Sequence, residues 1–402
     1  MATDERIIDT DRVVDWLLGE ATAATAETLV TELGPELVRA GVRVARFAAF
    51  VRTLHPFIMG RAFRWYRDQP GLSVVSAPYE FLSSPEYMNS PTGHVYVSGK
   101  ESRWRLDDGA PLPYRVLEEQ RAAGMTDYVA LPLRFLSGEV NAITYSTDAP
   151  GGFSAAEIVA LTRVTRALSR VAEILALRRT ASNLLDAYVG HNAGSRILEG
   201  HVRRGETEII RCVIWFSDLR GFTVLSATQD PPSTIQLLNQ LFDCQVPAVE
   251  RHGGEVLKFI GDGMLAIFRV PDPSKLGDVA KDALAAAREA FAALDVWNGE
   301  RVPAGLEPLR VGLALHVGDV GYGNIGGAGR LDFTCIGAAV NLASRVEGLT
   351  GKLGKRLLLT EAMAQAGDTP TRCVGAHEVK GVTPAPVVYE LVDGWSMLPS
   401  SL

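Results

Sequence analysis

The sequence predicts an α+β fold in at least two domains, on three observations. The chain has 402 residues, more than one domain of ordinary size holds. Helical and strand-like periodicities follow one another with hairpin-like pairs of short apolar runs, which a doubly wound parallel sheet does not use. A polar stretch, Arg203-Arg204-Gly205-Glu206, separates two regions of different texture. Apolar residues make up 47% and charged residues 22%, enough apolar surface for more than one core and too much for a disordered chain.

The elements of the first region can be read in order. Residues 1–60 look helix-rich, with Val13, Val14, Trp16, Leu17 and Leu18 clustered and Leu29, Leu33 and Leu37 four apart. His55-Pro56, Trp65 and Tyr66 read as a helix end with aromatic core residues rather than as a ligand cluster. From Leu72 to Pro150, Gly, Pro and Ser punctuate short apolar segments; Tyr128–Phe135 and Glu139–Tyr145 flank Leu136-Ser137-Gly138 as a hairpin. Ser154-Ala-Ala-Glu157 is a capping box that opens a long helix. Its Leu161, Val164, Leu168, Val171 and Leu175 step by three and four. That spacing suits a helix packed on its own sheet, and also the seam of a short parallel coiled coil. A second amphipathic stretch, Leu184–Val202, reaches the polar break.

Beyond the break, strand Ile209–Phe216 ends in Ser217-Asp218, and helix Ser233–His252 ends at Gly253-Gly254. Val256–Ile260 and Met264–Phe268 flank a turn at Gly261-Asp262-Gly263. An Ala-rich helix covers about Gly277 to Trp297, strand Arg310–Val317 follows, and a glycine-rich connection leads to strand Leu331–Ile336. Helix Ala338–Leu349 and short strands ending near Val387–Leu391 complete the order.

Charge narrows the partners. A formal net charge of −7 argues against a nucleic-acid backbone, which needs many cations to displace counterions. A small anionic substrate remains compatible, because a few cations or a bound metal reverse the field locally. The longest apolar runs, such as Ala48–Val51 and Val129–Leu133, fall far short of the ~20 residues that span a bilayer. The acidic start, MATDERIIDTDR, lacks the apolar core of a signal peptide, so a soluble cytoplasmic protein is expected. Cys212, Cys244, Cys335 and Cys373 are spread singly and read as reduced core residues.

Two carboxylates and one helix face carry the chemistry. Asp218 follows an apolar strand and Asp262 sits at a two-strand turn; if the strands are neighbours, the two meet at one sheet edge. Such a pair suits a hard cation, Mg²⁺ or Mn²⁺, shared with phosphate oxygens. Each Asp alone equally fits a turn or cap. Asn341 and Arg345 lie four apart and project from one helix face. They suit a ribose and a phosphate oxygen, although alone the pair reads first as a solvated face. Gly321-Tyr-Gly323-Asn-Ile-Gly326 satisfies GxGxxG but leads into another strand, whereas a dinucleotide loop must open a helix.

In order and spacing, the second region resembles the catalytic domain of class III nucleotidyl cyclases. The matching segments are Phe216-Ser-Asp-Leu-Arg-Gly-Phe-Thr223, Lys258-Phe-Ile-Gly-Asp-Gly263, Arg310-Val-Gly-Leu, Gly323-Asn-Ile-Gly326, Val340-Asn-Leu-Ala-Ser-Arg345 and Val379-Lys-Gly381. Gly253-Gly254-Glu255 also shares its start with the GGDEF signature of diguanylate cyclases, but Val256 and Leu257 replace the acid and aromatic.

The resemblance implies a ferredoxin-like, palm-type α+β domain over residues 208–395 and a division of labour within it. Asp218 and Asp262 would hold two metal ions, Mg²⁺ or Mn²⁺, assisted by the backbone of Leu219. Lys258 and Thr334 would read the purine, Asn341 would orient the ribose and Arg345 would stabilise charge at the α-phosphate. Arg310 and Lys380 would hold the β- and γ-phosphates, with the backbone of Gly221, Phe222 and Thr223 helping to cradle them. Many adenylyl cyclases carry Asp where this chain has Thr334, and guanylyl cyclases resemble a pair with Glu at Lys258 and Cys near Thr334. Lys with Thr resembles the bicarbonate-responsive subgroup, and Lys258 as a pure donor suits adenine N1.

The implied activity is adenylate cyclase, a phosphorus–oxygen lyase making cyclic AMP from ATP. The alternatives are a guanylate cyclase and a catalytically silent nucleotide-binding module. One such domain per chain implies a homodimer with sites at the interface. Residues 1–181 resemble a GAF-like α/β sensory domain with a small-molecule ligand of its own, and residues 182–207 a helical transducer.

Overall fold

The computed structural model describes residues 7–20 and 25–392. The first residues of the chain and the expected domain end at residue 395 lie outside the described residues. The fold is α+β, as the sequence predicts, in two compact units, Met1–Ala187 and Tyr188–Leu402.

The first unit runs α1 (Thr10–Asp15), α2 (Ala26–Arg39), β1 (Arg46–Arg52), β2 (Ile58–Tyr66), β3 (Ser73–Pro78), α3 (Pro85–Met88), α4 (Pro91–Ser98), β4 (Ser102–Arg105), α5 (Arg115–Ala122), β5 (Asp127–Arg134), β6 (Val140–Thr147) and α6 (Ala155–Val189). Its sheet has the order β3-β2-β1-β6-β5-β4. Every pairing in it is antiparallel. Phe47, Phe63, Trp65, Leu131, Ile143 and Tyr145 pack on one face against α1, α2 and α6. Tyr128, Ala130 and Ala142 pack on the other with Val95 of α4 and Leu117 of α5. The expected hairpin is β5–β6. In the capping box, the Glu157 amide donates to Ser154 Oγ at 3.2 Å and the Ser154 amide donates back to Glu157 at 2.8 Å. Leu161, Val164, Leu168 and Leu175 are buried with Val171 packed beside them, so the stripe on α6 is used against its own sheet.

One expectation fails here. The region up to residue 60 is not helical throughout: Arg46–Arg52 and Ile58–Tyr66 are strands, and Trp65 and Tyr66 belong to β2 rather than to a helix end. The central strand β1 is buried on both faces at its start, which removes the alternation that marks a strand in sequence.

The second unit runs α7 (His191–Leu198), β7 (Thr207–Leu219), α8 (Phe222–Thr228), α9 (Pro231–Arg251), β8 (Glu255–Ile260), β9 (Gly263–Arg269), α10 (Leu276–Arg301), β10 (Val311–Gly326), β11 (Leu331–Ile336), α11 (Ala338–Lys352), β12 (Leu357–Thr360), α12 (Glu361–Ala364), β13 (Thr371–Ala376) and β14 (Val387–Leu391). The sheet order is β13-β14-β12-β10-β7-β9-β8, with β11 paired to β10. Only β10–β12 is parallel among the described strands. Along β7, Val213, Trp215 and Leu219 join the core under α9 and α10, whereas Cys212, Ile214 and Phe216 join the core of the opposite face. Strand alternation therefore sets Asp218 on the Phe216 side, the side that α11 covers.

The glycine-rich segment 321–326 is not a connection but the second half of β10, paired with β11. At Gly323 a side chain would collide with the Glu206 carbonyl, so glycine permits the close approach of the two backbone segments. Cys212 and Cys335 are buried, but Cys373 is exposed on β13, against the expectation of four core cysteines. No described helix is long and apolar enough to cross a membrane.

Candidate active site

Sheet register builds the acidic centre. Asp218 lies opposite Gly312 near the end of β7, and its neighbour Ser217 lies opposite Met264 of β9. The β8–β9 hairpin pairs Ile260 with Gly263, so its turn delivers Asp262 beside the end of β7. Burial and the adjacent Asp262 carboxylate push the Asp218 carboxyl up to about 6. Burial also raises Asp262, opposed by backbone donors that include the Leu219 amide. The fold thus holds two partly desolvated carboxylates against each other, an unfavourable arrangement that a divalent cation relieves. The donor chemistry of Asp218, Asp262 and the Leu219 backbone fits Mg²⁺ or Mn²⁺.

Arg220 ties this edge to α11. Its amide donates to the Arg310 carbonyl at 2.7 Å, and its guanidinium donates to the Glu347 carbonyl at 2.8 Å. The guanidinium also contacts the Glu347 carboxylate and the Thr350 hydroxyl. A side chain at Gly312 would strike both the Arg220 guanidinium and Thr350, so this contact needs glycine there. Burial pushes the Glu347 carboxyl up to about 7; Arg220 opposes this, and Asp218 and Asp262 add to it. Neither Arg220 nor Glu347 was singled out from sequence. The signal available was position: Arg220 stands two residues after Asp218, and Glu347 two after Arg345.

Lys258 of β8 reaches β11, where its Nζ donates to Asp332 at 2.9 Å. Thr334 is two residues further along, on the same side of the strand by alternation. It is 4% exposed and its Oγ1 has no hydrogen-bond partner among the described residues. A buried hydroxyl left without a partner costs about 1–3 kcal/mol, so the position suits a ligand that supplies one. Behind it, Phe333 meets Tyr322 edge-on at 4.8 Å, and Arg196 of α7 lies over both rings. Asp332 opens the segment Asp332-Phe-Thr-Cys-Ile-Gly337, which fits the same bicarbonate-responsive pattern in sequence, but the pattern gives Asp332 no role of its own.

Asn341 and Arg345 stand exposed one turn apart on α11, while Val346, Glu347 and Thr350 face inward. Arg310, just before β10, and Lys380, between β13 and β14, are exposed. Gly221, Phe222 and Thr223 form the start of α8, whose first amides have no acceptor within the helix. The structure therefore gathers Asp218, Leu219 and Asp262 at one edge and Lys258 and Thr334 around Asp332. Among the described residues, no hydrogen bond or ion pair joins Asn341 or Arg345 to either group.

Comparison with known proteins finds likeness within the second unit. Residues 206–391 match the family described as "Adenylate and Guanylate cyclase catalytic domain". An adenylate cyclase of Anabaena cylindrica is 35% identical over 201 residues, 48% of this chain and 38% of that protein. Adenylate cyclase 1 of Rhizobium meliloti is 30% identical over 44% of this chain and 27% of its own length. The chain thus spans well under two thirds of these relatives. Among solved structures, the adenylyl cyclase CyaB from P. aeruginosa is 29% identical, with a TM-score of 0.41, 47% of this chain and 97% of that one covered. The guanylyl cyclase Cya2 is 31% identical with a TM-score of 0.41, over 49% of this chain and 98% of its own.

Proposed function

Residues 206–391 are a class III adenylate and guanylate cyclase catalytic domain, a lyase domain of cyclic-nucleotide biosynthesis, and from that premise we propose that the chain makes cyclic AMP from ATP. The observation that carries the purine choice is the pairing of a donor with a free hydroxyl. Lys258 offers N–H to adenine N1, an acceptor, and the unpartnered Thr334 Oγ1 can accept from the N6 amino group. Guanine presents a donor at N1, against which Lys258 has nothing to accept with.

Asp218 and Asp262, with the backbone of Leu219, would hold two divalent ions, Mg²⁺ or Mn²⁺. Such ions lower the pKa of the ribose 3′-hydroxyl and neutralise phosphate oxygens. The chain's own side chains do the positioning. Asn341 orients the ribose so that its 3′-oxygen lines up with the α-phosphorus and pyrophosphate leaves opposite. Arg345 donates to the α-phosphate oxygens as charge builds on them. Arg310, Lys380 and the amides of Phe222 and Thr223 after Gly221 hold the β- and γ-phosphates. Little covalent chemistry is asked of the protein beyond orientation and electrostatics.

Asn341 and Arg345 stand exposed, and among the described residues no hydrogen bond or ion pair joins them to the carboxylate pair, which supports a homodimer with each site shared between copies. The N-terminal unit, a six-stranded antiparallel sheet ending in a long helix, supports a GAF-like sensory domain with residues 182–207 as transducer. Measuring kcat/KM with ATP and with GTP tests the purine assignment. ATP is expected to be preferred by at least about tenfold, a difference of ~1.4 kcal/mol. Equal or better use of GTP would overturn it.

A further inference from the structure

The packing of α2 and α6 on the N-terminal sheet is incomplete. A cavity of about 230 Å³ opens between them. Leu29, Val30, Phe63, Leu133, Leu168 and Leu175 form its apolar wall. The short side chains of Ala49, Ala172 and Ala176 are what leave it unfilled. The space opens to solvent, and its apolar wall forgoes the dispersion contacts that an apolar body seated against it would supply.

One end of the cavity is cationic. Arg61, Arg178 and Arg179 border it, beside Thr53 and Ser182. Arg61 is balanced by Glu27 at 3.4 Å. Arg178 and Arg179 are exposed and make no ion pair among the described residues, so the rim keeps an uncompensated positive charge. Apolar depth with a cationic mouth selects a molecule of matching polarity.

We propose that this cavity binds an amphipathic organic monoanion, its apolar body against Phe63 and Leu168 and its carboxylate or sulfonate head at Arg178 and Arg179. The site is separate from the cyclase chemistry, since every lining residue lies between Thr25 and Ser182. Leu168, Ala172, Leu175 and Ala176 all ride on α6. Occupancy therefore braces the helix that runs on to Val189, at the boundary of the catalytic unit.

The test is a binding measurement on the full chain, independent of cyclase activity. The probe is an anilinonaphthalene sulfonate dye, whose fluorescence rises in an apolar site, with decanoate and decanol as competitors. We expect saturable binding at one site, displaced by decanoate and several-fold less well by decanol. Ala176→Trp, which fills the cavity, should abolish binding. Ala172→Leu serves where the larger residue prevents folding, as judged by melting. Reversing the rim with Arg178→Glu and Arg179→Glu together should weaken dye and decanoate by at least about fivefold, ~1 kcal/mol. Dye binding unchanged in the filled variants would overturn the site. Equal competition by decanol, with no effect of the rim variants, would overturn the anion. Absence of dye binding together with a dimer that Ala176→Trp dissociates would assign the groove to a second copy of the chain instead.

Discussion

Asp218 carries two opposed demands, and its protonation makes them measurable. Its folded-state value of about 6 stands above the ordinary 3.8, so its stabilising share is complete below that ordinary value and lost as pH rises through about 6. Asp218→Asn should therefore raise the melting temperature of the metal-free protein above that pH, by roughly 2–4 °C, while it removes activity. An unchanged melting point at about pH 8 would show that the carboxylates are not held in repulsion. The same shift predicts that the apparent affinity for Mg²⁺ or Mn²⁺ weakens as pH falls toward 6, because proton and cation compete for one oxygen pair. At Arg345, replacement by Ala should slow turnover by about two to three decades without loss of stability, since the side chain is exposed and unpaired among the described residues. An unchanged kcat would remove Arg345 from the mechanism. These residues were legible in the sequence because each sits in a short segment of recognisable pattern. The pairing of Asp332 with Lys258 was not, because an ion pair between β8 and β11 exists only once the strands are assembled. Asp332→Asn should lower the preference for ATP only a few-fold, as expected for a half-exposed pair, whereas Lys258→Ala should lower it further.

Among the elements, the link between β7 and α11 is where stability and site geometry meet. Arg220 leaves the end of β7, passes Gly312 and anchors on Glu347 and Thr350 of the helix that carries Asn341 and Arg345. Gly312→Ala must displace that guanidinium, which should cost about 1–3 kcal/mol and lower the melting temperature. A neutral result would mean that Arg220 has another resting place. Glu347, at about 7 against an ordinary 4.5, loses its stabilising share as pH rises through neutrality. Arg220→Met should steepen that loss, read as a larger drop in melting temperature between about pH 5 and about pH 8. A variant that melts in parallel with the native chain would contradict the pairing. Helices were the more legible elements: α9, α10 and α11 follow from their apolar spacing and caps. β1 and the second half of β10 were not, because two-sided burial hides alternation in the first and glycines mimic a loop in the second.

For the whole molecule, the catalytic unit was readable from six ordered segments, whereas the N-terminal unit offered only texture. Its strands β1 and β2 lie in a stretch whose sequence pattern resembles helix, and its cavity depends on which small residues α2, β1 and α6 bring together, which no local pattern encodes. If each site is shared between two copies, co-expressed Asp218→Ala and Arg345→Ala chains should recover activity that neither has alone. A mixture as inactive as its components would rule out the shared site. The most direct measurement is product analysis of the purified full chain with ATP and with GTP, in Mg²⁺ and in Mn²⁺, beside Asp218→Asn. Cyclic AMP from the native chain that disappears in the variant is the predicted result. No cyclic product from either nucleotide, or one undiminished by Asp218→Asn, would contradict the assignment.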